Sequence, residues 1–407
     1  MTTNNQTLPS GYKPSPLGII PEDWEVKRLG DVCTFHNGRA YSQKELLSSG
    51  KYRVLRVGNF FTNGSWYWSD MELEDDKYAN NGDLLYAWSA SFGPRFWEGE
   101  KIIYHYHIWK IDSFNEISKD FLYLFLLYDA TKLTNTLQGG TMTHITKENM
   151  EKRSIAVPPL PEQQRIVSLL SLWDTAIAKQ TALIEKLTLR KRGLMQQLLT
   201  GKKRLKGFEG KWKVVKLGEV ALVIGGGTPN TNISDYWDGG IPWFTPSEIG
   251  ENKYVNISER TISEKGLHDS SAKTLPKGTI LFTSRATIGA KAILTTEATT
   301  NQGFQSLVVI NGNNNEFIYY YLDIIINEIK QKASGSTFPE VSAESIRKTA
   351  IKIPNVNEQN AIASVLVNAD KEIEMRKQKL ASLQEQKKGL MQVLLTGKKR
   401  IKQNISL

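Results

Sequence analysis

"PPLPEQQRIVSLLSLWDTAIAKQTALIEKLTLRKRGLMQQLLTGKKR", residues 158–204, is the stretch on which the fold turns. Behind its opening prolines, no proline occurs from Glu162 to Thr200, and the segment stops at Gly201, a residue suited to the left-handed turn that ends a helix. Alternate steps of four and three from Ile166 reach Leu170, Trp173, Ile177, Gln180, Ile184, Leu187, Lys191, Leu194 and Leu198. Eight of the ten positions are apolar, which predicts a helix with a coiled-coil seam. An amphipathic helix lying on its own domain would show a similar stripe. At 39 residues, either helix would be about 58 Å long.

The segment returns 196 residues later. Residues 194–205, "LMQQLLTGKKRL", match residues 390–401, "LMQVLLTGKKRI", at ten of twelve positions. The same offset pairs Pro158 with Pro354, Glu162 with Glu358, Gln163 with Gln359 and Asp174 with Asp370, and sets "GGTMTHITKENMEK" (139–152) against "GSTFPEVSAESIRK" (335–348). A second seam follows through Ile362, Leu366, Ala369, Ile373, Arg376, Leu380, Leu383, Lys387, Leu390 and Leu394, with its polar breaks at the same two steps. Farther forward, "WEVKRLGDV" (24–32) matches "WKVVKLGEV" (212–220) at an offset of 188, so the halves differ by eight residues in between. A period this long means domain duplication rather than a solenoid. Each helix finds its simplest partner in the other, paired antiparallel about a pseudo-two-fold axis with a globular domain at each end.

The expected fold is α+β: two mixed α/β globular domains and two long coiled-coil helices. The segments run 1–11 (flexible N-terminus), 12–157 (first domain), 158–205 (first helical segment), 206–353 (second domain), 354–400 (second helical segment) and 401–407 (tail). "YRVLRVGNF" and "EKIIYHYHIWKI" read as strands, Asn63–Gly64 and Asn81–Gly82 as turns, and "KDFLYLFLLYDATKL" and "NEFIYYYLDIIINEIKQKA" as helices.

With 407 residues, 40% hydrophobic and 23% charged, the chain suits a globular protein of two or more domains. The longest apolar run, "FLYLFLLY", is eight residues, far below the roughly 20 that span a bilayer, and the N-terminus lacks signal-peptide features. Cys33 stands alone, so neither an intrachain disulfide nor a cysteine-based zinc site can form. A cytoplasmic location follows as the expectation. The net charge of +10 is concentrated: residues 179–206 and 371–402 together carry +15, and the remainder about −5. Such stretches are either solvated helix faces or contacts for nucleic-acid phosphate or an acidic protein.

Catalytic patterns are weak. His105 and His107 share a face of the expected strand without an evident third metal ligand. Asp323, Glu328 and Lys330 sit in a helical pattern with the wrong spacing for a nuclease set, and "GGGTP" (225–229) lacks the Lys-Ser/Thr of a phosphate loop and reads as a strand-ending turn. Aromatic residues crowd "NGSWYWSD", "YAWSASFGPRFW" and "DYWDGGIPWFTP", with base-reading side chains nearby. Arginine presents a fork to guanine, Asn and Gln to adenine, while hydroxyls and backbone amides suit phosphate.

Taken together, the two half-repeats, the "PPLPEQQRI" helix start, the "LLTGKKR" helix end and "LPKGTILFTSRATIGAKAILTTEATTNQGFQSLVV" (275–309) resemble the specificity subunit of type I restriction–modification enzymes. In the first half, "HNGRAYSQKEL" departs from the Gly-x-Thr-Pro turn found at 226–229. The resemblance implies two target recognition domains that each read half of a split site in double-stranded DNA. It implies helices that set the gap and dock two methyltransferase subunits carrying S-adenosylmethionine, with restriction subunits joining them. It implies no catalysis and no cofactor on this chain, and no membrane partner. On the first domain the expected DNA contacts are Arg39, Tyr41, Trp88, Ser89, Arg95, Gly140, Thr141 and His144. On the second they are Thr228, Ser284, Arg285, Thr287, Asn301, Gln302, Ser336 and Thr337. The apolar seam residues are expected to pair the helices and dock the partners. The alternative is a stand-alone DNA-binding coiled-coil scaffold or regulator without a modification partner.

Overall fold

The structure is a computed structural model that describes residues 8–61, 64–89, 91–136, 145–334 and 339–401. Contacts divide it into two compact units, Met1–Gln180 with Lys379–Leu407, and Thr181–Gln378. The long helices span Leu160–Leu198 and Val356–Leu394, 39 residues each. The division therefore passes through both helices and across the segments drawn from the sequence: each unit holds one globular part, the near portion of one helix and a portion of the other.

In the first unit, Thr34–Asn37, Ile108–Asp112, Leu84–Ser89 and Ser91–Phe96 form an antiparallel sheet in that order. A second sheet runs Tyr67–Ser69, Tyr52–Leu55, Ile102–Tyr104, Tyr78–Ala79, its middle pair parallel. Glu25–Arg28 pairs with Ser154–Val157, which brings the domain's start to the start of the long helix. Trp24, Phe35, Trp109, Phe121, Ile166, Leu170, Met391 and Leu394 share one core.

The second unit repeats this plan. Ala221–Gly225, Gln305–Val309, Ile280–Phe282 and Lys291–Leu294 form the larger sheet, extended by Tyr254–Val255. Arg260–Ile262, Trp237–Phe244 and Thr299–Thr300 form the smaller one, its last pair again parallel, and Lys213–Lys216 pairs with Ala350–Ile353. Its core joins Leu198, Trp212, Phe317, Tyr321, Ile362 and Leu366. The domain helices lie at Lys119–Thr136 and Asn315–Gln331.

Two expected strands are broken. "YRVLRVGNF" is a strand only over Tyr52–Leu55; Val57–Phe61 is helical, because Val57 and Phe60, three apart, both turn toward a small core. "EKIIYHYHIWKI" is two strands, Ile102–Tyr104 and Ile108–Asp112, separated by a turn at His105–Tyr106–His107. Ile102, Ile103 and Tyr104 are all buried, as are Ile108 and Trp109, so the apparent alternation was two doubly covered strands around a polar turn. The Asn81–Gly82 turn is present, with Gly82 at φ +87°, whereas Asn63 lies outside the described residues.

Inside each unit the long helices meet antiparallel. Asp174 accepts from Lys387 at 2.5 Å in the first unit, and Asp370 pairs with Lys191 in the second. These are the same pair 196 residues apart, so the lysine break in each seam is an interhelical ion pair. All ten seam positions of the first helix are buried or half-buried, and nine of the second, Arg376 being exposed. Gly201 and Gly397 close the helices at φ +70° and +69°. Beyond them the "KKR" arginines reach the other helix's first turn: Arg204 grips Glu358 at 2.5 and 2.6 Å, and Arg400 Nε donates to Glu162 at 3.1 Å. Both glutamates are buried. Next to them, the buried amides of Gln163 and Gln359 accept from the backbone N–H of Ser118 (2.7 Å) and Asn314 (3.0 Å), tying the start of each domain helix to a long helix.

Candidate nucleic-acid interface

Three backbone segments converge in each unit. In the second, Gly227 N donates to Thr300 O (2.9 Å) and Ser284 N to Gly303 O (2.9 Å), joining residues 226–229, 284–285 and 301–303. In the first, Arg39 N donates to Tyr104 O (3.1 Å), Tyr106 N to Arg39 O (3.1 Å) and Trp88 N to His107 O (3.1 Å), joining 38–41, 88–89 and 105–107. Glycine is required at the crossing. A Cβ on Gly226 would stand 2.1 Å from Asn301 O, and one on Gly38 2.3 Å from His105 O.

The second cluster gathers five of the expected residues. Thr228 donates to the side chain of exposed Gln302, and Asn301 Oδ1 accepts from Gly303 N at 2.8 Å. Half-buried Arg285 precedes Ala286, which is held at φ +60° in a tight turn, with exposed Thr287 next. Ser284 differs from expectation. It is fully buried, and its hydroxyl has no hydrogen-bond partner among the described residues, a placement unlike the exposed contact expected of it. Ser336 and Thr337 lie outside the described residues, but Ser334 and Glu340, which flank them, exchange two 3.0 Å backbone hydrogen bonds, and the backbone of Glu340 forms an antiparallel β-bridge with that of Arg285. Behind the cluster, Trp243 Nε1 donates to Gly227 O at 2.9 Å.

The first cluster is built of rings. Tyr41 stacks on His105 (6.4 Å between centroids), His105 meets His107 (4.9 Å) and Tyr106 (4.4 Å), and Trp88 meets His107 edge-on (5.1 Å) while stacking on Trp109 (5.6 Å). Burial, then the neighbouring His107 and Arg56, hold the His105 imidazole down to about 4, so it is neutral near pH 7. Arg39 belongs to the cluster but is engaged: it donates to Glu45 (2.7 Å) and Met71 Sδ (3.1 Å), and holds the Glu45 carboxyl down to about 2. Ser89 is buried, contrary to its expected contact role. Arg95 is set apart, paired with Leu85 toward the far end of the hairpin and donating to Phe60 O. Gly140, Thr141 and His144 lie outside the described residues.

Among the described residues no group of three or more His, Cys, Asp or Glu is placed to hold a metal ion. Asp323 pairs with Lys291 (2.6 Å) and Glu328 with Lys332 (2.7 Å), so they form no common centre. Gly225 ends a strand, as its turn reading expects. Sequence reasoning missed exposed Arg260, whose guanidinium lies 3.5 Å from the Trp237 ring centroid, and Arg53, held over Trp66 (5.6 Å) and Trp68 (5.1 Å). The aromatic crowding was the available signal; pairing it with arginines needed the strand register. Tyr106, 39% exposed, was hidden by the single-strand reading.

This architecture defines a duplicated protein, two mixed α/β parts each built onto two long helices. Residues 21–189 and 209–385 each match the family of the type I restriction modification DNA specificity domain, and the chain belongs to that family as a DNA specificity subunit of the type I kind. It is 41% identical over 170 residues to the MjaIX specificity subunit of Methanocaldococcus jannaschii, a match spanning 41% of this chain and 39% of that one. To the same organism's MjaVIII specificity subunit it is 27% identical over 406 residues, 94% of each chain. Among solved structures it is similar to one titled as the structural basis of assembly and conformational transition of the type I R-M system (TM-score 0.64, 18% identity, 93% of this chain and 99% of that one). It is also similar to the HsdS subunit from Thermoanaerobacter tengcongensis (TM-score 0.51, 18% identity, 93% and 98%). No described helix is long and apolar enough to cross a membrane.

Proposed function

We propose that each specificity domain reads one half of a split site in double-stranded DNA, through the convergent turns at 38–41, 88–89 and 105–107 and at 226–229, 284–285 and 301–303. The observation that carries this reading is the duplication itself. The same three-segment crossing, with a glycine in the same place, is built twice in one chain and lined with different side chains. Equivalent frames with unequal linings suit two different half-sites.

The paired helices set the unread gap between the halves and dock two methyltransferase subunits. Leu189 and Met375, 69% and 62% exposed on the long helices, are available to that contact. Those subunits carry S-adenosylmethionine and methylate adenine, restriction subunits join the assembly, and this chain catalyses no step. It works on cytoplasmic DNA. The test is a genome-wide methyladenine map of the source cells with and without the gene. The expected result is loss of methylation at one split motif with a fixed gap. An unchanged map, with gene and methyltransferase both expressed, overturns the reading in favour of a stand-alone DNA-binding scaffold.

A further inference from the structure

We propose that the turn His105–Tyr106–His107 is the base-reading segment of the first specificity domain, occupying the place that Asn301–Gln302–Gly303 occupies in the second. This rests on the half-site reading above and adds residues that motif comparison does not select.

The equivalence is one of backbone, not of side chains. In both units the segment leaves a short strand that runs parallel to its neighbour, Ile102–Tyr104 beside Tyr52–Leu55 and Thr299–Thr300 beside Trp237–Phe244. In both its first residue has its carbonyl against the crossing glycine, Gly38 or Gly226. In both its third carbonyl accepts from a backbone N–H at or just past the end of another strand, Trp88 within Leu84–Ser89 or Ser284 two residues beyond Ile280–Phe282. The middle residue is exposed in each, Tyr106 here and Gln302 there.

The chemistry differs in kind. The second domain presents amide, hydroxyl and guanidinium groups, which discriminate bases by paired hydrogen bonds. In the first domain Arg39 is bound to Glu45, and Ser89 is buried. What remains at the crossing is rings: Tyr41, Trp88 and the triplet itself. A phenol and two imidazoles offer single donors or acceptors and flat apolar faces, suited to base edges and thymine methyl groups of duplex DNA.

The experiment uses the full chain assembled with its methyltransferase partner, and reads the methylated motif of wild type, Tyr106→Phe, Tyr106→Ala, His107→Gln and Gln302→Ala. The expected result is that the Tyr106 and His107 variants relax at least one base, or lose about tenfold or more in rate, in one half-site only. Gln302→Ala should do so in the other half. Retention of the unaffected half-site shows that the variant is folded. A wild-type split motif left intact in both halves by every Tyr106 and His107 variant overturns this inference while leaving the half-site reading standing. So does relaxation of the same half by Tyr106→Ala and Gln302→Ala. Absence of any split motif in wild type overturns both.

Discussion

At the residue scale, the crossing depends on the absence of a side chain. Gly226→Ala sets a methyl group 2.1 Å from a backbone carbonyl, closer than any relaxation of side chains can relieve. Its expected effect is at least a tenfold loss of DNA affinity by titration. Wild-type affinity would show that the segments do not need to lie so close. His105 gives a pH signature. Because its folded value of about 4 lies below the ordinary 6.5, its contribution to stability is complete above about pH 6.5 and is lost as pH falls through 6.5 toward 4. His105→Gln should therefore flatten the decline in melting temperature between pH 7 and 4.5. Equal slopes in the two proteins would assign the decline to other groups. Cys33 is of the opposite kind: burial pushes its thiol up to about 12, so thiol reagents should leave it unmodified until the first unit unfolds.

At the scale of elements, the helix ends explain why the repeated motif holds both "EQ" and "KKR". Arg204→Ala leaves the Glu358 carboxylate buried without its partner, and breaking such a pair costs about 3 kcal/mol. The double replacement Arg204→Met with Glu358→Leu should recover most of that loss in denaturant unfolding. If the single and double variants unfold alike, the pair is not coupled. Asp174→Lys opposes two lysines across the helix pair, and Lys387→Asp beside it restores opposite charges, with an expected coupling of about 0.5–1 kcal/mol because Asp174 is half exposed. The first helix, read over 162–200, lies within about two residues of Leu160–Leu198, because proline, glycine and a 3.5-residue period are local signals; the second, read within 354–400, ends earlier, at Leu394. The turns at the two crossings were less legible in the sequence. His105 to His107 continues the alternation of its neighbours, and only the coverage of both faces of Ile102–Tyr104 marks where the strand stops. Ser89 and Ser284 look like surface hydroxyls in sequence, yet both are buried, one at the end of Leu84–Ser89 and the other two residues past Ile280–Phe282.

At the scale of the whole chain, the duplication has an unequal consequence for how the protein is made. The second unit is continuous, Thr181–Gln378, whereas the first is split between Met1–Gln180 and Lys379–Leu407. Ile166 and Leu170 complete their core with Met391 and Leu394, and Glu162 waits for Arg400. A ribosome adding about 5–20 residues per second therefore leaves the apolar stripe of the first helix uncovered for on the order of ten seconds or longer. Toward the close of that interval the second unit has all of its parts, while the first still lacks Lys379–Leu407. Truncation after Gln378 should accordingly yield a protease-resistant second unit and a degraded first one; resistance of both would mean that the last helical segment is dispensable. The unit that is begun first is the one finished last, and newborn chains are most exposed to aggregation while their N-terminal half waits for its final residues.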